Sequence, residues 1–164
     1  MGSSVQTALV GREGIAGSTI VLGLVEIGVH AVVQIRGQAI RVPTSYFLQC
    51  YRELPALNNL VNRHFGLLLL QARQYALCNA AHGIDARFCR LLLDASDRLD
   101  INLIELTQDA CSNALGVQRT SVSMVAHALQ LAGCIRTRRG KIEILDRAKL
   151  ESTACKCYVQ NLDQ

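Results

Sequence analysis

Apolar residues recur at helical spacing through the second half of the chain and alternate strictly in only a few short runs. Val122, Val125 with Ala126, Leu129 and Ala132 follow the i, i+3, i+4, i+7 pattern of a helix packed on a core. Gly133 stands just past its end, where the backbone must tolerate positive φ. Ahead of it, Thr107 reads as an N-cap, Ala110 and Leu115 face inward, and Gly116 makes the turn between two short helices. Behind it, Ile135-Arg-Thr-Arg-Arg-Gly-Lys-Ile-Glu-Ile-Leu145 alternates apolar and polar residues on both sides of Arg139-Gly140, a hairpin with a basic tip. Helix, turn, helix and basic hairpin in unbroken order predict a winged helix-turn-helix over Leu106–Leu145. The second helix, starting near Gln118 or Arg119, leaves Arg119, Thr120, Ser123 and His127 on its outward side.

Upstream, Pro43 and Pro55 sit where a first-turn proline is tolerated. They predict a short helix from Pro43 to about Tyr51 and a long one from about Pro55 to Ala81, about 40 Å in length. The apolar residues of the long helix cover more than one stripe, so it needs two partners. One is the segment before it. The other is taken to be the same helix of a second subunit, with Leu57, Leu60, Val61, His64, Leu68, Gln71 and Tyr75 along the seam. His82-Gly83 ends this helix. A further helix follows from Ile84 to about Leu99, with Phe88, Leu91, Leu92 and Ala95 inward, and a closing helix runs from Asp146 to about Cys157. Val5–Val10, His30–Ile35 and Ala39–Val42 are short β-prone runs divided by glycine turns at Gly11–Gly14 and Arg36-Gly37. Gly17–Leu24 reads as either a short helix or a loop. The fold class expected is α+β.

Composition narrows the function. From Val117 to Lys141 the chain holds five Arg or Lys residues (Arg119, Arg136, Arg138, Arg139, Lys141) and no Asp or Glu, although its net charge is only +4. That concentration is an electrostatic footprint for phosphate. Trp is absent and aromatics make up 4% of residues, which leaves little for stacking on unpaired bases, so duplex DNA fits better than RNA or single strands. The seven cysteines contain no Cys-x-x-Cys pair and read as buried, reduced thiols of a cytoplasmic protein. Cys155-x-Cys157 lacks Cys or His partners at metal-site spacing, so no metal is expected. The apolar stretch Ile15–Ile35 is interrupted by Glu26, His30 and glycines, which argues against a membrane span. The four histidines are scattered, none beside a Ser, Cys or carboxylate at catalytic spacing, and an enzyme is not expected.

The runs Leu106-Thr-Gln-Asp-Ala-Cys-Ser-Asn-Ala-Leu-Gly-Val-Gln-Arg-Thr-Ser-Val-Ser123, Leu129-Gln-Leu-Ala-Gly-Cys-Ile135 and Arg139-Gly-Lys-Ile-Glu-Ile144 resemble the Crp/Fnr family of bacterial transcription regulators. The likeness extends over the long helix and down to Gly11-Arg-Glu-Gly-Ile-Ala-Gly17, which resembles the later part of that family's cyclic-nucleotide-binding-like β-barrel. It implies three parts: a truncated effector domain with a partial barrel and a long dimerisation helix (1–82, the helix about 55–81), a winged helix-turn-helix domain (83–158) and a tail (159–164).

The resemblance also implies roles. A homodimer would present one reading helix to each half of a near-palindromic duplex site. Arg119 would be the principal base reader, with Gln118, Thr120 and Ser123 beside it, while Thr107, Arg138, Arg139 and Lys141 would contact phosphates. RNA polymerase is a further partner that the family implies. Two departures from the family stand out. Thr120 and Met124 replace an acidic and a basic residue, so the operator cannot be borrowed from better-known members. Ala16-Gly17-Ser18-Thr19 and Gly28-Val-His-Ala31 lack the acid and the arginine that hold a cyclic nucleotide, so no such cofactor is expected. A different class of function also fits the apolar helix: an interaction module that pairs with a full-length relative and modulates it.

Overall fold

The computed structural model of the chain describes residues 5–12, 14–23 and 30–158. Leu24, Gly28-Val29 and the 159–164 tail of the sequence reading lie outside them. The elements run α1 (Thr44–Glu53), α2 (Pro55–Ala81), α3 (Ile84–Leu99), β1 (Leu103–Ile104), α4 (Gln108–Leu115), α5 (Arg119–Leu131), β2 (Ile135–Arg138), β3 (Lys141–Ile144) and α6 (Arg147–Thr153). The class is α+β, as the pattern of periods predicts. Two compact units divide the chain, one formed by Val10–Leu70 and the other by Met1–Leu9 with Gln71–Gln164. The division falls inside α2, whose last turns pack with the segments that follow it.

In the Val10–Leu70 unit a 3₁₀ turn, Ser18–Leu22, lies between Gly17 and Gly23, both left-handed at φ 80° and 66°. The two glycines admit a conformation that a Cβ would oppose. His64 of α2 reaches back to this segment, its Nε2 standing 3.0 Å from the Ile15 carbonyl and 3.3 Å from the Ile15 amide. Val61 is fully buried. The strands expected over His30–Ile35 and Ala39–Val42 do not form, and the same holds for Val5–Val10 in and beside the other unit. Val32, Val33 and Ile40 are 75%, 82% and 93% exposed, and among the described residues their β propensity has no partner strand against which to act.

The second unit is built around α3. Phe88, Leu91, Leu92 and Ala95 are buried as their spacing predicts, but burial extends around the whole helix and takes in Arg87, Arg90, Asp94 and Ser96. Arg90 survives there because it is paired. Its Nη1 donates to Asp94 Oδ2 at 3.0 Å, and its guanidinium lies 4.4 Å from the centre of the Tyr75 ring. Arg87 donates to the Leu115 carbonyl at the end of α4. Gln6 and Leu9 are tied to this unit by backbone bonds, Gln6 N–H to Ala114 O at 3.0 Å and Leu9 N–H to Gln71 Oε1 at 3.0 Å.

The sheet has the order β1-β3-β2, all antiparallel, with Ile104 opposite Ile142 and Ile135 opposite Ile144. These four isoleucines are buried and close the core over α3 and α5. β1, two residues long, is the element the sequence pattern does not disclose. α6 is shorter than expected. Asp146 caps it by accepting from Lys149 N–H at 3.0 Å, it ends at Thr153, and Ala154 turns extended so that Cys155–Tyr158 form a separate turn.

Candidate nucleic-acid interface

Thr107 caps α4, its Oγ1 accepting from Ala110 N–H at 3.1 Å, and a hydroxyl that accepts in this way can still donate its own proton. Gly116, at φ 64°, ends α4 and redirects the chain into α5, for which Gln118 is the N-cap and Arg119 the first residue. Val122, Ala126 and Leu129 bury the inner face of α5, whereas Ala132 caps its C-terminus and is exposed. Gln118, Arg119, Thr120 and His127 are exposed on its outer side. Ser123 is half-buried and already engaged, donating to Gln108 Oε1 at 2.7 Å and so tying α5 to α4.

The wing folds back beside these helices. Gly140, at φ 73°, turns β2 into β3, and a Cβ there would stand 3.9 Å from the Thr107 methyl. As a result Thr107 and Gln108 at the start of α4, Arg119 at the start of α5, and Arg138, Arg139 and Lys141 of the wing line one open groove. The groove is not purely basic. Asp109 Oδ1 stands 3.4 Å from Arg119 Nε, and Glu105 Oε1 accepts from Lys141 Nζ at 2.6 Å. Acids that lie outside the 117–141 window in sequence are thus returned to it by the fold. Arg138 and Arg139 stay exposed at the tip.

The residues assigned to a subunit seam are not brought onto one open face. Val61 and Tyr75 are buried, Tyr75 beneath Arg90 and with its hydroxyl accepting from Gln6 Nε2 at 2.6 Å. His64 and Gln71 are held by Ile15 and Leu9. Leu57 and Leu68 are half-buried. Of the seven, Leu60 alone is exposed, at 61%, and it is joined on α2 by Leu69, Leu70 and Leu77. Three of the seven are thus engaged by hydrogen bonds with residues ahead of α1: Tyr75 by Gln6, Gln71 by Leu9 and His64 by Ile15.

One cluster escaped the sequence reading. Cys78 and His82 meet Cys155 and Cys157, and one ligand atom from each lies within 4.8 Å of every other. The sequence offered two separate signals, Cys155-x-Cys157 and the i, i+4 spacing of Cys78 and His82 on a helix, and the partners that Cys155 and Cys157 lacked at local spacing come from a distant element.

Helix, glycine turn, reading helix and basic hairpin on a three-stranded sheet define a winged helix-turn-helix protein. Residues 86–153 match the family model of the Crp-like helix-turn-helix domain, and the fold is similar to that of Crp/Fnr-family regulators of known structure. A Crp/Fnr-family transcriptional regulator from Thermus thermophilus is 26% identical, with 61% of this chain and 55% of that one covered at a TM-score of 0.58. A Crp/Fnr-family transcriptional regulator from Eubacterium rectale is 22% identical over 68% of this chain and 51% of that one, TM-score 0.54. FixK2 from Bradyrhizobium japonicum shares the fold at 16% identity, 70% and 60% coverage and a TM-score of 0.64. The chain therefore spans between 51% and 60% of the length of these structures. No curated protein is significantly similar. Among the described residues no helix is long and apolar enough to cross a membrane.

Proposed function

We propose that the chain is a cytoplasmic transcription regulator that binds duplex DNA sequence-specifically as a homodimer on a near-palindromic site. The observation that carries this reading is the single groove in which the starts of α4 and α5 meet the wing. Arg119 is the principal base reader. With its Nε beside Asp109, its two terminal nitrogens remain to bond guanine O6 and N7. Gln118 and Thr120 flank it as further readers. Ser123 reads bases only if it releases Gln108, and otherwise fixes the two helices in register. The Thr107 hydroxyl and the first amides of α4 receive one phosphate, and Arg138, Arg139 and Lys141 hold the backbone beyond it. The effector side of this reading includes no cyclic nucleotide, because Ala16–Thr19 offers neither a carboxylate nor a guanidinium to the ligand.

The test is a site selected from random duplexes, followed by footprinting. Two protected half-sites centred about 34 Å apart are expected from a symmetric pair of reading helices. A single protected half-site, or no selected sequence, would overturn the reading. The exposed leucines of α2 favour a second possibility, an interaction module that pairs with a longer relative. It would be distinguished by a stoichiometric heteromer with that relative and no selected site for the chain alone.

A further inference from the structure

We propose that Cys78, His82, Cys155 and Cys157 bind one thiophilic divalent cation, zinc being the species their chemistry and spacing suit. Cys78 and His82 stand one turn apart at the end of α2, and Cys155 and Cys157 lie on the turn after α6. The fold brings Cys78 and Cys155 together across 77 positions of sequence.

Cys78 Sγ is 3.4 Å from Cys155 Sγ, and Cys157 Sγ is 3.6 Å from His82 Nδ1. A tetrahedral ion with Zn–S of about 2.3 Å and Zn–N of about 2.0 Å sets S···S at about 3.8 Å and S···N at about 3.5 Å. These two pairs stand within about 0.4 Å of the separations that a single ion requires, and all four donors lie within 4.8 Å of one another. An iron–sulfur cluster would interpose several atoms between its thiolates and needs them farther apart. Three thiolates and an imidazole are soft donors that favour zinc over magnesium or calcium. Four protein ligands leave no open position, the arrangement of a structural ion.

The surroundings suit the charge. Cys78, Cys155 and Cys157 are 0%, 7% and 3% exposed and pack against Ala86, and His82 is half-buried beside them. Three thiolates around a divalent ion leave one net negative charge, and the buried Arg90 guanidinium lies near Cys78 to offset it. Buried Gln74 Nε2, without a hydrogen-bond partner among the described residues, is a spare donor near Cys157. Such outer donors orient and tune metal ligands.

The turn that carries Cys155 and Cys157 has its own anchor. Tyr158 donates to Asp97 Oδ2 at 2.8 Å and accepts from Arg147 at 2.6 Å, which fastens the turn to α3 independently of any ion. Bound metal would then lock the end of α2 to the last turn of the winged domain.

The test uses the whole chain, purified under reducing, anaerobic conditions. One zinc per chain is expected by elemental analysis. Cobalt(II) added to the chelator-stripped protein should saturate at one equivalent, with the intense thiolate charge-transfer and tetrahedral ligand-field bands. Alkylation should spare Cys78, Cys155 and Cys157 until a chelator is added. Cys155→Ser with Cys157→Ser should weaken binding by more than about 100-fold, beyond what loss of an outer-shell donor does, whereas Cys50→Ser should not. No tetrahedral cobalt spectrum from the wild-type chain would overturn the proposal, as would a Cys78–Cys155 disulfide in the anaerobic protein or an unchanged spectrum in the double variant. Should the double variant misfold, the wild-type cobalt titration and the alkylation map decide the matter.

Discussion

A single side chain, Arg119, stands at the centre of the proposed recognition, and its environment defines what replacement should do. Arg119→Ala should weaken binding to the selected site by about 1–3 kcal/mol, with loss of preference at one base pair, as read by titration against site variants. Arg119→Lys should restore little of it, because a point charge cannot form the planar pair of bonds. A result in which both variants keep wild-type preference would remove Arg119 from the reading role. Asp146 offers a pH test. Its carboxylate is held below the ordinary range, first by the Lys149 backbone N–H at the start of α6 and then by the Lys149 ammonium. A depressed carboxylate stabilises the fold above its unfolded pKa, and that stability is lost as pH falls through the folded value. Stability measured by urea midpoint should therefore drop on the acid side, and Asp146→Asn should flatten that limb. The positions of Arg119, Thr107 and the wing arginines at a helix start, a cap and a hairpin tip were legible because they follow from local turns and caps, whereas the roles proposed for them come from the resemblance. The carboxylates facing them were not, since Asp109 and Glu105 approach only when separate elements pack.

Among the elements, the reading helix and the wing follow most directly from sequence. Period 3.6 and period 2 leave different marks, and Gly116, Gly133 and Gly140 all stand at positive φ where the turns require it. The wing carries its own prediction: Arg138→Ala and Arg139→Ala should each lower the slope of log K against log salt by about 1 while leaving base preference intact. An unchanged slope would place the wing off the DNA. The β-prone runs before α1 were misread for a physical reason. A strand is a pairing, and a run rich in Val and Ile becomes one only if another backbone completes its ladder. β1 is the converse case, two residues with no pattern of their own that β3 recruits by hydrogen bonding.

At the scale of the whole molecule the open matter is how two chains would pair. Val61, His64, Gln71 and Tyr75 are committed within the chain, so a partner helix would meet Leu60, Leu69, Leu70 and Leu77 instead. Leu70 and Leu77 are one heptad apart, 43% and 57% exposed. Leu70→Glu with Leu77→Glu should convert a dimer to a monomer in sedimentation and should abolish two-half-site footprints while sparing the fold. A dimer that persists would return the seam to the other face. By itself the sequence determined the order of helices, the caps and turns, the basic hairpin and the winged helix-turn-helix class, because each rests on contacts between residues a few positions apart. Tertiary structure alone decided which face of α2 is covered, which acids temper the basic groove, and that Cys78 and His82 meet Cys155 and Cys157. Those depend on elements distant in the chain, whose approach is set by the burial of α3 and its isoleucine-faced sheet and leaves no periodic trace in the sequence.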